Sequence, residues 1–334
     1  MNKTIIIAEV GPNHNGKLKL AYKLVDVAKR AGADFVKFQT SIPEDHISIH
    51  AKKAIYQMRS TSKKKSQLSM ANKMTLSFKD FEKLKSYCNK KKIKFLSTPF
   101  GFKAINFLKK LNMEYNKIPS GEINNLLYLE KIGKMKKKVI LSTGMSNMKE
   151  IDQAIKILIS SGTKKNNITV LQCNTEYPTP LEDVNIKAML EIKKKFRVNV
   201  GYSDHTLGIS ASIVAVANGA KIIEKHITLN KKMSGPDHKA SITEKELKNL
   251  VSRIRETEII LGQKEKKLSK SEKKNIMIAR NSIVANLNIR KGDKFTRKNL
   301  TIKRPGYGVS PMNFYKILGK KATRNFKKDE LIKI

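Results

Sequence analysis

A chain of 334 residues with 40% hydrophobic residues and a formal net charge of +41 can bury a large core, which excludes a single small module and fits two domains or one large barrel with an appendage. So basic a chain invites a nucleic-acid reading, because positive surfaces condense on phosphates through counterion release. Yet 59 of the 69 basic residues are Lys, in short runs such as Lys63 to Lys65, Lys136 to Lys138 and Lys193 to Lys195, with few aromatics among them and no reader motif, the pattern of solvated helix faces.

The chain opens on TIIIAEV, a β-branched run too short for a signal sequence and interrupted by Glu9. A turn, GPNHNG, leads to a helix that stripes Leu20, Leu24, Val27 and Ala31 and stops at Gly32. The second strand is DFVKFQT; the connection after it, Ser41 to Thr75, is long for a βα loop and reads as a partly helical flap. A helix rich in Phe, Leu and Lys, the strand IKFLSTPF and a helix through Phe107 and Leu108 follow, then YNKIPS, a helix near Leu126 to Ile132, and KKVILSTG. Asn147 is placed to cap the helix carrying Ile151, Ile155 and Leu158. After NITVLQCN comes a helix around Met189 to Phe196, then VNVGYSDHT, a small-residue helix with Ala211, Val214 and Ala217, and KIIEKHIT. The last helix of the series opens with Thr243 and Glu246 as a capping box, stripes Leu247, Leu250, Ile254 and Leu261, and ends at Gly262.

Eight strand-then-helix units in residues 1–262 predict a (β/α)8 barrel. The rival doubly wound sheet lacks a GxGxxG at any helix start. Residues 263–281, polar and lysine-rich, read as a linker or an extended helix. Residues 282–334 form a small β-rich piece with an internal repeat, Ala285 to Asp293 echoing Ala322 to Glu330, which predicts a compact pseudo-symmetric module. Cys88 and Cys173 show neither CxxC nor zinc spacing, and no apolar run reaches the length of a membrane span; both features fit a reduced, cytoplasmic, membrane-free protein.

Barrel enzymes keep their chemistry at the C-terminal strand ends. Those ends are Glu9, Lys37 with Gln39, Ser97 with Thr98, Lys117 with Ser120, Ser142 with Thr143, Asn174, Ser203 with His205, and Glu224 with His226. Two lysines among hydroxyls suit a small molecule with phosphate and carboxylate groups. His205 and His226, each closing an apolar run, read either as a metal pair or as two hydrogen-bonded histidines at a sheet edge.

AEVGPNHNG, VKFQT, FLSTPF, KIPSGEINN, ILSTGM, NTEYPTP, GYSDHT, EKH and GPDH, in this order, resemble the sialic acid synthase family, and the last 55 residues, with KRPGYG, resemble that family's C-terminal antifreeze-like (SAF) domain. The resemblance implies condensation of phosphoenolpyruvate with an open-chain N-acylated hexosamine to give a nonulosonic acid and phosphate. It further implies a divalent ion, typically Mn2+ with Mg2+ or Co2+ possible, held by His205 and His226. Glu9 would steer or deprotonate a water. Lys37, Thr98, Lys117, Ser120, Ser142 and Ser203 match phosphoenolpyruvate-binding positions, and Gln39, Tyr177 and Asp237 match positions around the sugar. Arg304 matches an arginine that reaches the partner subunit's site, which implies a domain-swapped homodimer.

NTEYPTP with GPDHKAS looks more like the legionaminate synthases, which take a 2,4-diacetamido-6-deoxy mannose analogue, than like the N-acetylmannosamine enzymes; His238 and Lys239 mark the departure. Two other functions compete. The charge alone favours nucleic-acid binding, which gives the histidine pair no role. The tail alone favours ice or glycan binding on a passive barrel, against which stands its charged stretch IRKGDKFTRK.

Overall fold

In the first unit the β-branched runs form strands where a helical period follows them, and several of the helices end at a left-handed residue. Gly32, for example, closes the first helix at φ +83° and donates to the carbonyls of Ala28 and Lys29. The computed structural model describes residues 3–61 and 66–334, so the triplet Lys63 to Lys65 lies outside the described residues. Two compact units emerge, Met1–Gly262 and Gln263–Ile334.

The first unit runs β1 (Ile5–Glu9), α1 (Leu18–Ala31), β2 (Phe35–Ser41), α2 (Ile55–Ser60), α3 (Gln67–Met74), α4 (Phe78–Lys90), β3 (Lys94–Phe100), α5 (Phe102–Lys110), β4 (Tyr115–Ile118) and α6 (Leu126–Gly133). It continues with β5 (Lys138–Ser142), α7 (Met148–Ser160), β6 (Ile168–Cys173), α8 (Ile186–Phe196), β7 (Asn199–Asp204), α9 (Ser210–Ala217), β8 (Ile222–His226) and α10 (Glu244–Ile260). All eight strands pair in parallel in the order β3-β2-β1-β8-β7-β6-β5-β4. The sheet thus curls into a nearly closed barrel, its seam between β3 and β4. There Met113 packs its sulfur against the Ser97 amide, and the Tyr128 hydroxyl of α6 donates to the Pro99 carbonyl at 2.8 Å.

Local chemistry explains several boundaries. The Asn147 side chain accepts from the amides of Lys149 and Glu150, and Glu150 returns the bond to the Asn147 amide. Glu246 accepts from the Thr243 amide and hydroxyl at the start of α10. Two apolar stripes differ from expectation. Val214 of α9 is exposed while Ser212 is buried, because the Ser212 hydroxyl donates to the Asp204 carboxylate at 2.6 Å. Leu261 lies half-exposed just past α10 instead of continuing its buried face. The long connection after β2 is a partly helical flap carrying α2 and α3.

The second unit holds α11 (Lys270–Ala279), β9 (Ser282–Ala285), β10 (Leu300–Lys303) and α12 (Phe314–Ile317). Part of the expected linker is therefore helical, capped by Ser269. β9 and β10 are antiparallel. The two copies of the sequence repeat pair with each other: Ile289 bridges Phe326, the Ala285 amide donates to the Glu330 carbonyl, and the Ala322 amide donates to the Asp293 carbonyl. Equivalent positions of the repeat exchange places across this pairing, so the duplication is a local pseudo-two-fold around a core of Ala285, Ile289, Ala322 and Phe326. No helix among the described residues is long and apolar enough to cross a membrane.

Candidate active site

Side chains on a strand point alternately to the two faces of the sheet, so residues two apart at the C-terminal ends aim into the barrel mouth together. Glu9 of β1, Lys37 and Gln39 of β2, Thr98 of β3, Lys117 of β4, Ser142 of β5, Ser203 of β7, and Glu224 and His226 of β8 all line one cavity of about 630 Å³. Ser120, Tyr177, His205 and Asp237 join them from the loops. Twelve of the thirteen expected site residues thus converge. The thirteenth, Arg304, is exposed in the second unit. Ser97 and Thr143, their neighbours at the strand ends, point elsewhere: Ser97 bonds Thr40 at 2.7 Å and Thr143 donates to the Leu171 carbonyl.

At the bottom of the cavity stands a fully buried charge cluster. The Lys37 ammonium is 2.9 Å from Glu9 Oε2 and 3.5 Å from Glu224 Oε2, and Lys117 is 3.9 Å from Glu224 Oε1. Burial alone favours a neutral Lys37, but Glu224 and Glu9 outweigh it and hold the ammonium above its ordinary range. Lys117 is pushed down by burial, with Glu224 opposing and Lys37 adding to the shift. Burial also works against an ionised Glu224, yet Lys117 and Lys37 bring it below the carboxylate range. Glu9 is pushed up by burial against the pull of Lys37, with Glu224 adding repulsion. The two carboxylates are therefore pushed in opposite directions, Glu224 down between two lysines and Glu9 up by burial. Glu224 was legible only as a polar strand end; its place between lysines of two other strands appears when the barrel curls.

The hydroxyls are satisfied by this cluster. Lys37 donates to Thr98 Oγ1 at 3.1 Å, Lys117 to Ser142 Oγ at 2.6 Å, and Ser203 to Glu224 Oε1 at 3.0 Å. Ser120 Oγ accepts from the Gly144 amide at 3.0 Å. Gln39 donates to Glu9 Oε1 at 3.1 Å. Lysines and hydroxyls so arranged present donors from several strands to one anionic group.

Above the cluster the two imidazoles meet edge to face, with ring centroids 5.4 Å apart. His205 Nδ1 donates to the Asn174 carbonyl, which leaves the lone pair on Nε2, where the Tyr177 hydroxyl donates at 3.1 Å. Burial pushes His205 down to about 4, and burial with the neighbouring His205 takes His226 well below its ordinary value; both rings are neutral near pH 7. Asp237, raised to about 7 by burial and by Glu9, lies 3.6 Å from His226 Nδ1. Gly11, at φ +51°, is needed here: a Cβ would come within 3.1 Å of the His226 ring and 3.3 Å of Glu9.

These donors fit a divalent first-row ion. His226 Nδ1 is buried without a hydrogen-bond partner, an orphan that a metal would satisfy. The Asn174 carbonyl orients His205 as outer groups orient metal-bound histidines. Among the described residues no three His, Cys, Asp or Glu side chains gather to hold a metal ion, so the histidine pair supplies fewer protein ligands than the three usual in a catalytic zinc site.

The wall facing the flap is mixed. Tyr56 of α2 stacks on Tyr177 at 4.9 Å, and Tyr177 stacks on His205 at 4.1 Å. Met70, Ala71 and Met74 from α3 supply an apolar side. The residues after Asp237 are placed differently from expectation: His238 is fully buried, bonded to Thr228 at 2.7 Å and Asn15 at 3.3 Å, and Lys239 is exposed. Neither lines the cavity; the departure at His238 ties the loop to Thr228 and Asn15 instead.

The chain matches the NeuB family over residues 24–266 and the SAF domain over residues 280–334. It is 53% identical over 333 residues to the N,N'-diacetyllegionaminic acid synthase of Campylobacter jejuni, covering 100% of both chains. It is 40% identical to the enzyme of the same name from Legionella pneumophila, covering 96% of this chain and 90% of that one. The crystal structure of N-acetylneuraminic acid synthetase from Leptospira borgpetersenii, in complex with citrate, superposes with a TM-score of 0.72 at 34% identity, covering 82% of this chain and 90% of that one.

Proposed function

The chain belongs to the NeuB family, and from that premise we propose that it is a transferase joining phosphoenolpyruvate to the open-chain form of 2,4-diacetamido-2,4,6-trideoxymannose, giving N,N'-diacetyllegionaminic acid and phosphate. The reading is carried by the convergence of Lys37, Lys117 and four hydroxyls with two neutral imidazoles in one cavity. The sugar is chosen over N-acetylmannosamine on the 53% identity to a synthase of that name and on the apolar flap wall of Met70 and Met74, which suits a 6-deoxy carbon.

In this reading Lys37 and Lys117 bind the phosphate and carboxylate of phosphoenolpyruvate, with Thr98, Ser120, Ser142 and Ser203 turning their hydroxyls toward the anion. Glu224, ionised between the two lysines, holds their ammoniums in place and limits the net positive charge of the empty site. The bond formed joins C3 of the enol to the aldehyde carbon, whose oxygen becomes a hydroxyl by gaining a proton. Water then adds at C2, and the C–O bond to phosphate breaks to leave the 2-keto acid. Glu9 is the group placed to hold or take a proton of that water. His205 and His226 would hold a divalent ion, Mn2+ foremost, whose chemistry when bound is Lewis-acid polarisation of the aldehyde oxygen. Gln39, Tyr177 and Asp237 orient the sugar. Arg304 completes the sugar end from a second copy of the chain in a domain-swapped homodimer.

The test supplies phosphoenolpyruvate and Mn2+ with either sugar and follows phosphate. Release with the 2,4-diacetamido sugar and little with N-acetylmannosamine is expected; release with neither would refute a synthase, and preference for N-acetylmannosamine would refute the choice of sugar.

A further inference from the structure

Directly behind the two histidines, on the outer face of the barrel, lies an ion pair that the chemistry above does not use. Asp204 and Lys225 are 1% or less exposed and 2.9 Å apart. Each immediately precedes a histidine, Asp204 before His205 and Lys225 before His226. They are also the last residues paired in the ladder between β7 and β8. Beyond that rung the two histidine-bearing segments are tied outward instead: the Thr179 amide donates to the His205 carbonyl, and the Ile227 amide to the Glu9 carbonyl.

What spans the gap between them is side-chain chemistry. Lys225 reaches past Asp204 and donates to the Thr206 carbonyl at 2.7 Å, so it grips the chain on both sides of His205. Asp204 folds over the same residue, accepting from the Thr206 amide at 2.9 Å and hydroxyl at 2.8 Å. Ser212 of α9 donates to its other oxygen. Every polar end of the pair is occupied. A buried ion pair is weak evidence for stability, since apolar residues of similar volume often serve as well, and this one joins the two segments that carry His205 and His226.

We propose that Asp204 and Lys225 form a positioning clamp that sets the spacing of the histidine pair for a divalent ion. Neither touches substrate or metal. The inference rests on the reading of His205 and His226 as ligands, but its test requires no turnover.

The experiment titrates Mn2+ alone into the full-length protein and reads free ion by electron paramagnetic resonance, with inorganic phosphate affinity and thermal midpoint measured on the same samples. In D204N/K225M the Mn2+ dissociation constant is expected to rise about 10- to 100-fold, the range for residues that orient metal ligands. Phosphate affinity, set by Lys37 and Lys117 on other strands, should stay within about twofold. R255M is the structural control, because it breaks a part-buried pair with Asp34 and Glu258 away from the cavity; it should lower the midpoint and leave Mn2+ affinity unchanged. If D204N/K225M fails to fold, S212A removes only the tie from α9 and should weaken Mn2+ about fivefold, the worth of one hydrogen bond. Unchanged Mn2+ affinity in the folded variant, or an equal loss in R255M, would overturn the clamp. Phosphate release by the wild type bears only on the synthase reading, so the two failures are distinguishable.

Discussion

Replacing Lys37 with Met takes the ammonium from between Glu9 at 2.9 Å and Glu224 at 3.5 Å. Each such contact is worth about 5 kcal/mol at an effective dielectric of about 20, before desolvation. After desolvation a hydrogen bond to a charged group nets about 1.5–3 kcal/mol. For a phosphoenolpyruvate oxygen bound by the same ammonium, that is a loss of about 10- to 150-fold in affinity. Folding should suffer as well, since removing one partner of a buried pair costs about 3–5 kcal/mol. The lower end is expected, because Glu224 retains Lys117 at 3.9 Å. Calorimetric titration with phosphoenolpyruvate alone gives the first quantity and urea unfolding the second. A variant that binds phosphoenolpyruvate within about threefold of wild type, while demanding more sugar, would refute the assignment of this end of the cavity to the anion.

Further outcomes follow from the same geometry. If Arg304 serves the neighbouring copy's cavity, R304A and H205A, each nearly inactive alone, should regain activity when co-expressed: half the dimers are mixed and each carries one intact site, giving about a quarter of the wild-type rate. Absence of complementation would count against the swapped arrangement. His14, lowered to about 4 by burial, binds a proton in the unfolded chain below about pH 6.5 but not in the fold. Its contribution is therefore present above that pH and lost as pH falls from about 6.5 to 4, by about 3 kcal/mol in all; the drop in urea midpoint between pH 7.5 and 5 should shrink in H14N, and an unchanged drop would exclude this source. H238A should lower the thermal midpoint through its lost bonds to Thr228 and Asn15 without altering the ratio of rates for the two sugars, and a shifted ratio would place His238 against the substrate after all.

Eight β-branched runs, each followed by a helical period, were enough to predict the barrel and to gather Glu9, Lys37, Thr98, Lys117, Ser142, Ser203 and His226 at its strand ends, because these periods are local and survive in the bare chain; that Ser97 and Thr143 beside them point elsewhere was not legible. The same locality accounts for the Asn147 and Thr243 caps and for the repeat in the second unit. Distances across the barrel are not local. Glu224 between Lys37 and Lys117, Tyr177 stacked between Tyr56 and His205, and the turning of His238 away from the cavity each depend on strands or loops far apart in sequence being brought together by the curl of the sheet. Even the meaning of Asp204 and Lys225 changes at this step: in the sequence they are ordinary charges beside two histidines, and in the fold they are the last rung holding those histidines together. What the residues could decide alone was where each strand ends and which side chains stand there; which groups then meet was decided by the curvature that joins the strands.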